Sequence, residues 1–147
     1  MKRLALILIL GFVFACGGKK EGDGGGGGGD DSVTWPAQPA DGQPVVLQFV
    51  SVGPDKKGKD LEAKMRVFNF TDKDVKRVSM TLDYLDGSGK KLKDFPWGMM
   101  GVPNVVGPKG TKVDEMGAFI PAETKKVEAR VRSVEFGDGS KWEAKKE

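Results

Sequence analysis

An all-β sandwich of two sheets and seven or eight strands is the fold this sequence predicts. Three observations predict it. Apolar and polar residues alternate with period two over most of residues 45–147, the pattern of strands buried on one face only. Turn signals rich in Gly, Pro, Asp and Ser recur at intervals of roughly 8 to 14 residues, the spacing of short antiparallel strands. No segment of this region carries a helical period. Its 103 residues also hold almost every large apolar side chain beyond residue 16, enough for a single modest core.

The elements follow in order. Val45, Leu47 and Phe49 alternate along a first strand over residues 45–52, and the polar run 54–60 is a loop. Leu61, Ala63, Met65 and Val67 then point one way, with Glu62, Lys64 and Arg66 the other, in a strand ending near Phe70. After a turn at 71–74, Val78, Met80, Leu82 and Tyr84 form the next inward row. Asp86-Gly87-Ser88-Gly89 is a hairpin signal. A short strand over 90–95 follows, and Pro96 stops it or marks it as an edge. Residues 96–110, with three Pro and four Gly, read as the longest loop. Strands are expected over 111–120 and 125–136, the latter with Val127, Ala129 and Val131 on one face. A turn at 137–140 leads to a last short strand containing Trp142.

The first 44 residues differ in kind. Met1-Lys2-Arg3 precedes twelve uncharged residues, Leu4 to Ala15. A spanning helix needs about 20 apolar residues, so this is the length of a signal-peptide core. Val13-Phe14-Ala15-Cys16 resembles a bacterial lipobox, with the chain's single cysteine in the modified position. Phe14 departs from the small residue usual there. The resemblance implies that residues 1–15 are removed and that Cys16 becomes an acylated N-terminus. Acyl chains on Cys16 would then hold the protein to a membrane at roughly 0.8 kcal/mol per buried CH2. Gly17 stands where an Asp resembles an inner-membrane retention signal, which tilts the expectation toward the outer membrane of a bacterial envelope. Residues 17–44 contain 10 Gly and 3 Pro and read as a disordered tether, with a coil span of about 29 Å. Trp35 is its one large aromatic, either a hook onto the domain or a partner, or a loosely packed linker residue.

Charge and composition exclude several functions. Without Lys2 and Arg3, 22 basic residues face 21 acidic ones, so neither a nucleic-acid binder nor an electrostatic bilayer binder is expected. There is no histidine and only one cysteine, which removes His-based nucleophile systems and Cys-rich or His-ligated metal centres. No catalytic residue and no cofactor is expected. Met99, Met100 and Met116 read as packing residues rather than Cu(I) ligands. Asp83, Asp86 and Asp138 read as strand and turn residues rather than a calcium site. Asp114 and Glu115, adjacent on a strand, face opposite sides and cannot pair for acid–base work. Asn69-Phe70-Thr71 matches a glycosylation sequon but reads as a strand end and turn. Lys64, Arg66, Arg130 and Arg132, interleaved with Glu62 and Glu128, read as solvated sheet faces with cross-strand ion pairs.

Residues 64–90 are similar to the core of FxLYD-type immunoglobulin-like domains of bacterial envelope proteins, through Val67, Asn69, Val78, Leu82, Tyr84, Asp86 and Gly89. Residues 106–110 resemble that family's polar turn. Phe136-Gly137-Asp138-Gly139-Ser140-Lys141-Trp142 resembles the close of other small exported β domains. These resemblances imply an immunoglobulin-like sandwich serving as an accessory or binding module, with no catalytic residues to carry over.

The candidate interface is the 96–110 segment, where Trp97, Met99, Met100, Val102, Val105 and Val106 are large apolar residues in a Pro/Gly-rich stretch. Exposed together, they would form the kind of patch that marks a protein interface. The expected function is a lipid-anchored, non-catalytic envelope protein whose sandwich binds another envelope protein. The alternative is a structural protein or a carrier of a small ligand or metal.

Overall fold

The computed structural model describes residues 33–116 and 119–145. The expected signal peptide, Cys16 and the Gly-rich run 24–29 lie outside the described residues. Within them the chain is all-β, with seven strands in two antiparallel sheets. One sheet has the order β1-β2-β5, from β1 (Val45–Pro54), β2 (Leu61–Asn69) and β5 (Thr111–Met116). The other has the order β4-β3-β6-β7, from β3 (Val75–Leu85), β4 (Lys91–Met100), β6 (Lys126–Phe136) and β7 (Lys141–Glu143). No helix among the described residues is long and apolar enough to cross a membrane.

The core lies between the sheets and is built from the expected alternating rows. Ala63, Met65 and Val67 of β2 face Val78, Met80, Leu82 and Tyr84 of β3, and all are buried. Three rows change phase. On β1 the inward spacing jumps from Phe49 to Val52, on β3 from Val75 to Val78, and on β6 from Val131 to Val134. A one-residue slip would turn every later side chain to solvent. At each jump the ladder holds one extra residue, Val50, Lys76 and Arg132 respectively. These β-bulges absorb the odd residue and return the apolar row to the core.

Two boundaries differ from the sequence expectation. The segment 96–100 is strand, not loop: β4 runs through Pro96 to Met100, paired throughout with β3. Only one neighbour flanks β4, so the missing Pro96 N–H leaves no ladder partner unmet. The expected strand over 111–120 ends at Met116.

The loop that remains, 101–110, crosses from one sheet to the other. Its course is fixed by backbone hydrogen bonds: Val105 N–H to Val75 O at 2.7 Å, and Val75 N–H to Val106 O at 3.0 Å. The backbone of Asn104 presses directly on Gly101, leaving no room for a Cβ there. Asn69, fully buried, ties this loop to the next turn. Its Nδ2 donates to the carbonyls of Lys73 and Gly107, both at 2.8 Å. Its Oδ1 accepts from the backbone N–H and the hydroxyl of Thr71 at 3.0 and 2.8 Å. Both amide hydrogens are engaged and the side chain is enclosed, so the sequon nitrogen is inaccessible in the folded domain.

The compact unit begins at Thr34, eleven residues before the first strand, so the last part of the expected tether lies on the sandwich. Phe70 N–H donates to Pro44 O at 2.9 Å and Gln43 Nε2 to Val45 O at 2.6 Å. Trp35 meets Phe68 and Phe70 edge-to-face, with centroids 5.2 and 5.3 Å away. Phe68 projects from the outer face of β2, in row with Lys64 and Arg66, yet it is 0% exposed. The returning chain supplies the cover that the sheet lacks.

Candidate interaction surface

The strand order decides where apolar surface stays open. β1 packs against β6, which puts the edge strands β5 and β4 on the same side of the sandwich. On β4, period-two alternation sends Lys93, Phe95, Trp97 and Met99 toward the interior side, opposite Tyr84, Leu82, Met80 and Val78 of β3. The matching row on β5 is Lys112, Asp114 and Met116, opposite Val67, Met65 and Ala63 of β2. Two of those three are charged, so β5 cannot roof the aromatic rings of β4. Met99 is buried, but Phe95 and Trp97 are only half covered.

Phe119 completes the arrangement. It follows β5 in the connector to β6 and adopts a left-handed backbone, φ 57°, a conformation uncommon for a bulky residue and often held at functional sites. Ile120 beside it packs on the core. The Phe119 ring lies 5.6 Å from Phe95 at 45°, and Phe95 lies 6.3 Å from Trp97 at 50°. Phe119 remains 74% exposed. The Lys93 ammonium stands over both Phe rings, 5.7 Å from the centroid of Phe119 and 6.0 Å from that of Phe95, within cation–π range. Among the described residues no carboxylate lies within 4 Å of it. The result is a ledge of three tilted rings and one cation.

The six residues singled out in the sequence do not share one face. Met99, Val105 and Val106 are buried in the core. Met100, next to Met99 on a strand, points to the opposite side and is 73% exposed, and Val102 is fully exposed at the tip of the loop. Trp97 alone belongs to the ledge. Phe95, Phe119 and Lys93 lie outside that set of six: Phe95 continues the period-two row of Trp97, but the nearness of Phe119 depends on the sheet order.

Asp83, Asp138 and Lys64 are held in internal ion pairs. Asp83 accepts from Arg130 Nε at 2.7 Å and Nη2 at 3.0 Å and pairs with Lys91 at 3.3 Å. The Arg130 hydrogen bonds hold the Asp83 carboxyl below its ordinary value of 3.8, against a desolvation that pushes it up. This bidentate pair offsets two like charges directly across the ladder, Asp94 on β4 and Glu128 on β6. Asp86 and Asp138 accept hydrogen bonds within their own turns, from Ser88 and Ser140. Gly139 takes a left-handed conformation to close the second turn. Lys73, 2.7 Å from Asp138, holds that carboxyl well below the usual range, with help from Ser140. Lys64 pairs with Glu115 at 3.7 Å.

At the opposite end of the sandwich, a shallow depression of about 400 Å³ is lined by Pro44, Thr71, Lys73, Phe136 and Trp142 among others. The four sheet edges are each blunted against strand addition. β1 carries the Val50 bulge, β7 is three residues long, β4 has Pro96 at mid-strand, and β5 turns Lys112 and Asp114 inward. No family model matches the chain, no curated protein matches it and no solved structure matches it.

Proposed function

We propose that this chain is a lipid-anchored protein of the bacterial cell envelope, held by acyl chains on Cys16, whose sandwich is a non-catalytic module that docks another envelope protein. The observation that carries the docking role is the ledge of Phe95, Trp97 and Phe119. A single-domain surface that blunts all four of its edges yet leaves Phe119 open invites side-chain recognition. The anchoring role rests on the lipobox-like Val13 to Cys16 and on Gly17, which favours the outer membrane. The order β1-β2-β5 over β4-β3-β6-β7 is in keeping with the A-B-E and C′-C-F-G sheets of an immunoglobulin-like sandwich.

Two measurements test this reading. The N-terminal peptide of membrane-purified protein should begin at an acylated Cys16, and a Cys16→Ala control should lack it. A free Cys16 removes the anchor. A photo-crosslinking residue at position 119 should give a discrete adduct in intact cells, and the same residue at position 100 should not. Identical patterns from both positions, or none from 119, remove the docking role. The small-ligand carrier is a second reading, favoured only by the depression near Lys73 and Trp142. Perturbation of Trp142 by small envelope metabolites would support it.

A further inference from the structure

We infer that the ledge takes a short acidic segment of the partner protein, with an apolar side chain laid on Phe119 and Trp97 and a neighbouring carboxylate paired to Lys93. This rests on the docking role proposed above. Three observations select that occupant.

The first is charge. Lys91 is held by Asp83 and Lys112 by Asp114, but the Lys93 ammonium stands over two rings with no carboxylate within 4 Å among the described residues. Lys93 is exposed beside the rings, so its charge is open to an incoming anion laid on them, and a basic segment would meet a like charge there.

The second is size. Each ring can bury about 150–250 Å², and Phe95 and Trp97 are already half covered. The three together fall short of the roughly 800 Å² per partner of a stable folded interface. A second copy of this chain docked ledge to ledge would be too small an interface, whereas a peptide segment suits the area.

The third is the edge. Strand addition to β4 would meet Pro96, which has no N–H to offer. Recognition must therefore come through side chains.

The test uses the full chain labelled with 15N and two probe tripeptides, N-acetyl-Asp-Phe-Glu-amide and N-acetyl-Lys-Phe-Lys-amide. The acidic probe should shift the Trp97 indole N–H and the Phe119 amide saturably, and the basic probe should bind about fivefold more weakly, the upper range for an exposed ion pair. Lys93→Gln should reduce that discrimination to near unity, and Phe119→Ser should abolish both shifts. Equal binding of the two probes, still dependent on Phe119, overturns the acidic assignment and leaves the docking role standing. No shift at Trp97 or Phe119 with either probe overturns the peptide assignment. So does Phe119-dependent broadening on phosphatidylglycerol vesicles, which would make the ledge a membrane contact. Crosslinking from position 119 reports on the docking role separately, so the two failures are distinguishable.

Discussion

Two trios of aromatic rings, each one Trp and two Phe, stand at opposite ends of this sandwich and meet opposite fates. Trp35, Phe68 and Phe70 form a closed set: the Trp lies 40% exposed as a lid, and the Phe68 beneath it is 0% exposed. Phe95, Trp97 and Phe119 form an open set, with the outermost ring 74% exposed. Composition does not separate them; the cover does. At the closed end the incoming chain folds back across the outer face of β2. At the open end the nearest strand, β5, brings Lys112 and Asp114 to the place where a roof would need apolar atoms. Apolar surface on a small domain is thus stabilising where the chain itself covers it, and available to others where it does not.

That contrast can be broken by substitution. The largest effect is expected from Phe68→Ala, which removes a fully enclosed ring and should lower unfolding stability by about 4 kcal/mol, read as a fall in the denaturant midpoint. Asn69→Ala, beside the closed trio, strands the carbonyls of Lys73 and Gly107 and should cost about 3 kcal/mol; faster amide exchange at Val105 and Val75 would mark the loosened loop. Trp35→Ser strips the lid from Phe68 and Phe70 and should cost about 2 kcal/mol, with faster exchange of the Phe70 amide. If it costs nothing, the closed trio is not closed in solution.

Acid sharpens the comparison on the sheet between the two trios. The folded-state pKa of Asp83 is depressed, first by its Arg130 hydrogen bonds. Its contribution to stability is therefore present above its unfolded value of 3.8 and is lost as pH falls through the lower folded value. Asp83→Asn should flatten that acid limb of the stability curve, and an unchanged limb would show that the Arg130 pair contributes nothing. The smallest effect is expected at the open trio. Phe119→Ser should change stability by less than about 0.5 kcal/mol. A loss of several times that would make Phe119 a core cap and end its role as a recognition ring.

Much of the fold is legible in the sequence because local alternation and burial agree. The rows of β2 and β3 are complete period-two patterns, and their faces follow directly. The jumps from Phe49 to Val52 and from Val131 to Val134 are visible too, but a spacing of three names no cause; the bulges at Val50 and Arg132 are defined only by a partner strand. Pro96 reads as a stop or as the mark of an edge strand, because a central strand could not tolerate it, and only the order of the sheet decides between the two. The interaction surface is less legible still. Trp97 and Met99 face the same way, but one lies under the crossing loop and the other beside an open margin. Phe95 and Phe119 are 24 residues apart, and only the order of the sheets brings them to 5.6 Å. Trp35 stands out in the sequence as a lone aromatic, while its socket, Phe68, sits on the face that alternation assigns to solvent.

The place of Trp35 in the chain gives the domain a mechanical property. Tension applied through Thr34 reaches the two edge-to-face ring contacts before it reaches the hydrogen-bonded ladder between β1 and β2. Those contacts are ring packing and peel one at a time, whereas the ladder must be broken along its length. Under load the domain should therefore yield in two stages: a soft release that pays out the residues between Trp35 and Pro44, whose carbonyl is held by Phe70 N–H, and then a stiffer rupture of the sandwich. Under the proposed anchoring at Cys16, the lid that shields Phe68 at rest is also a shock absorber.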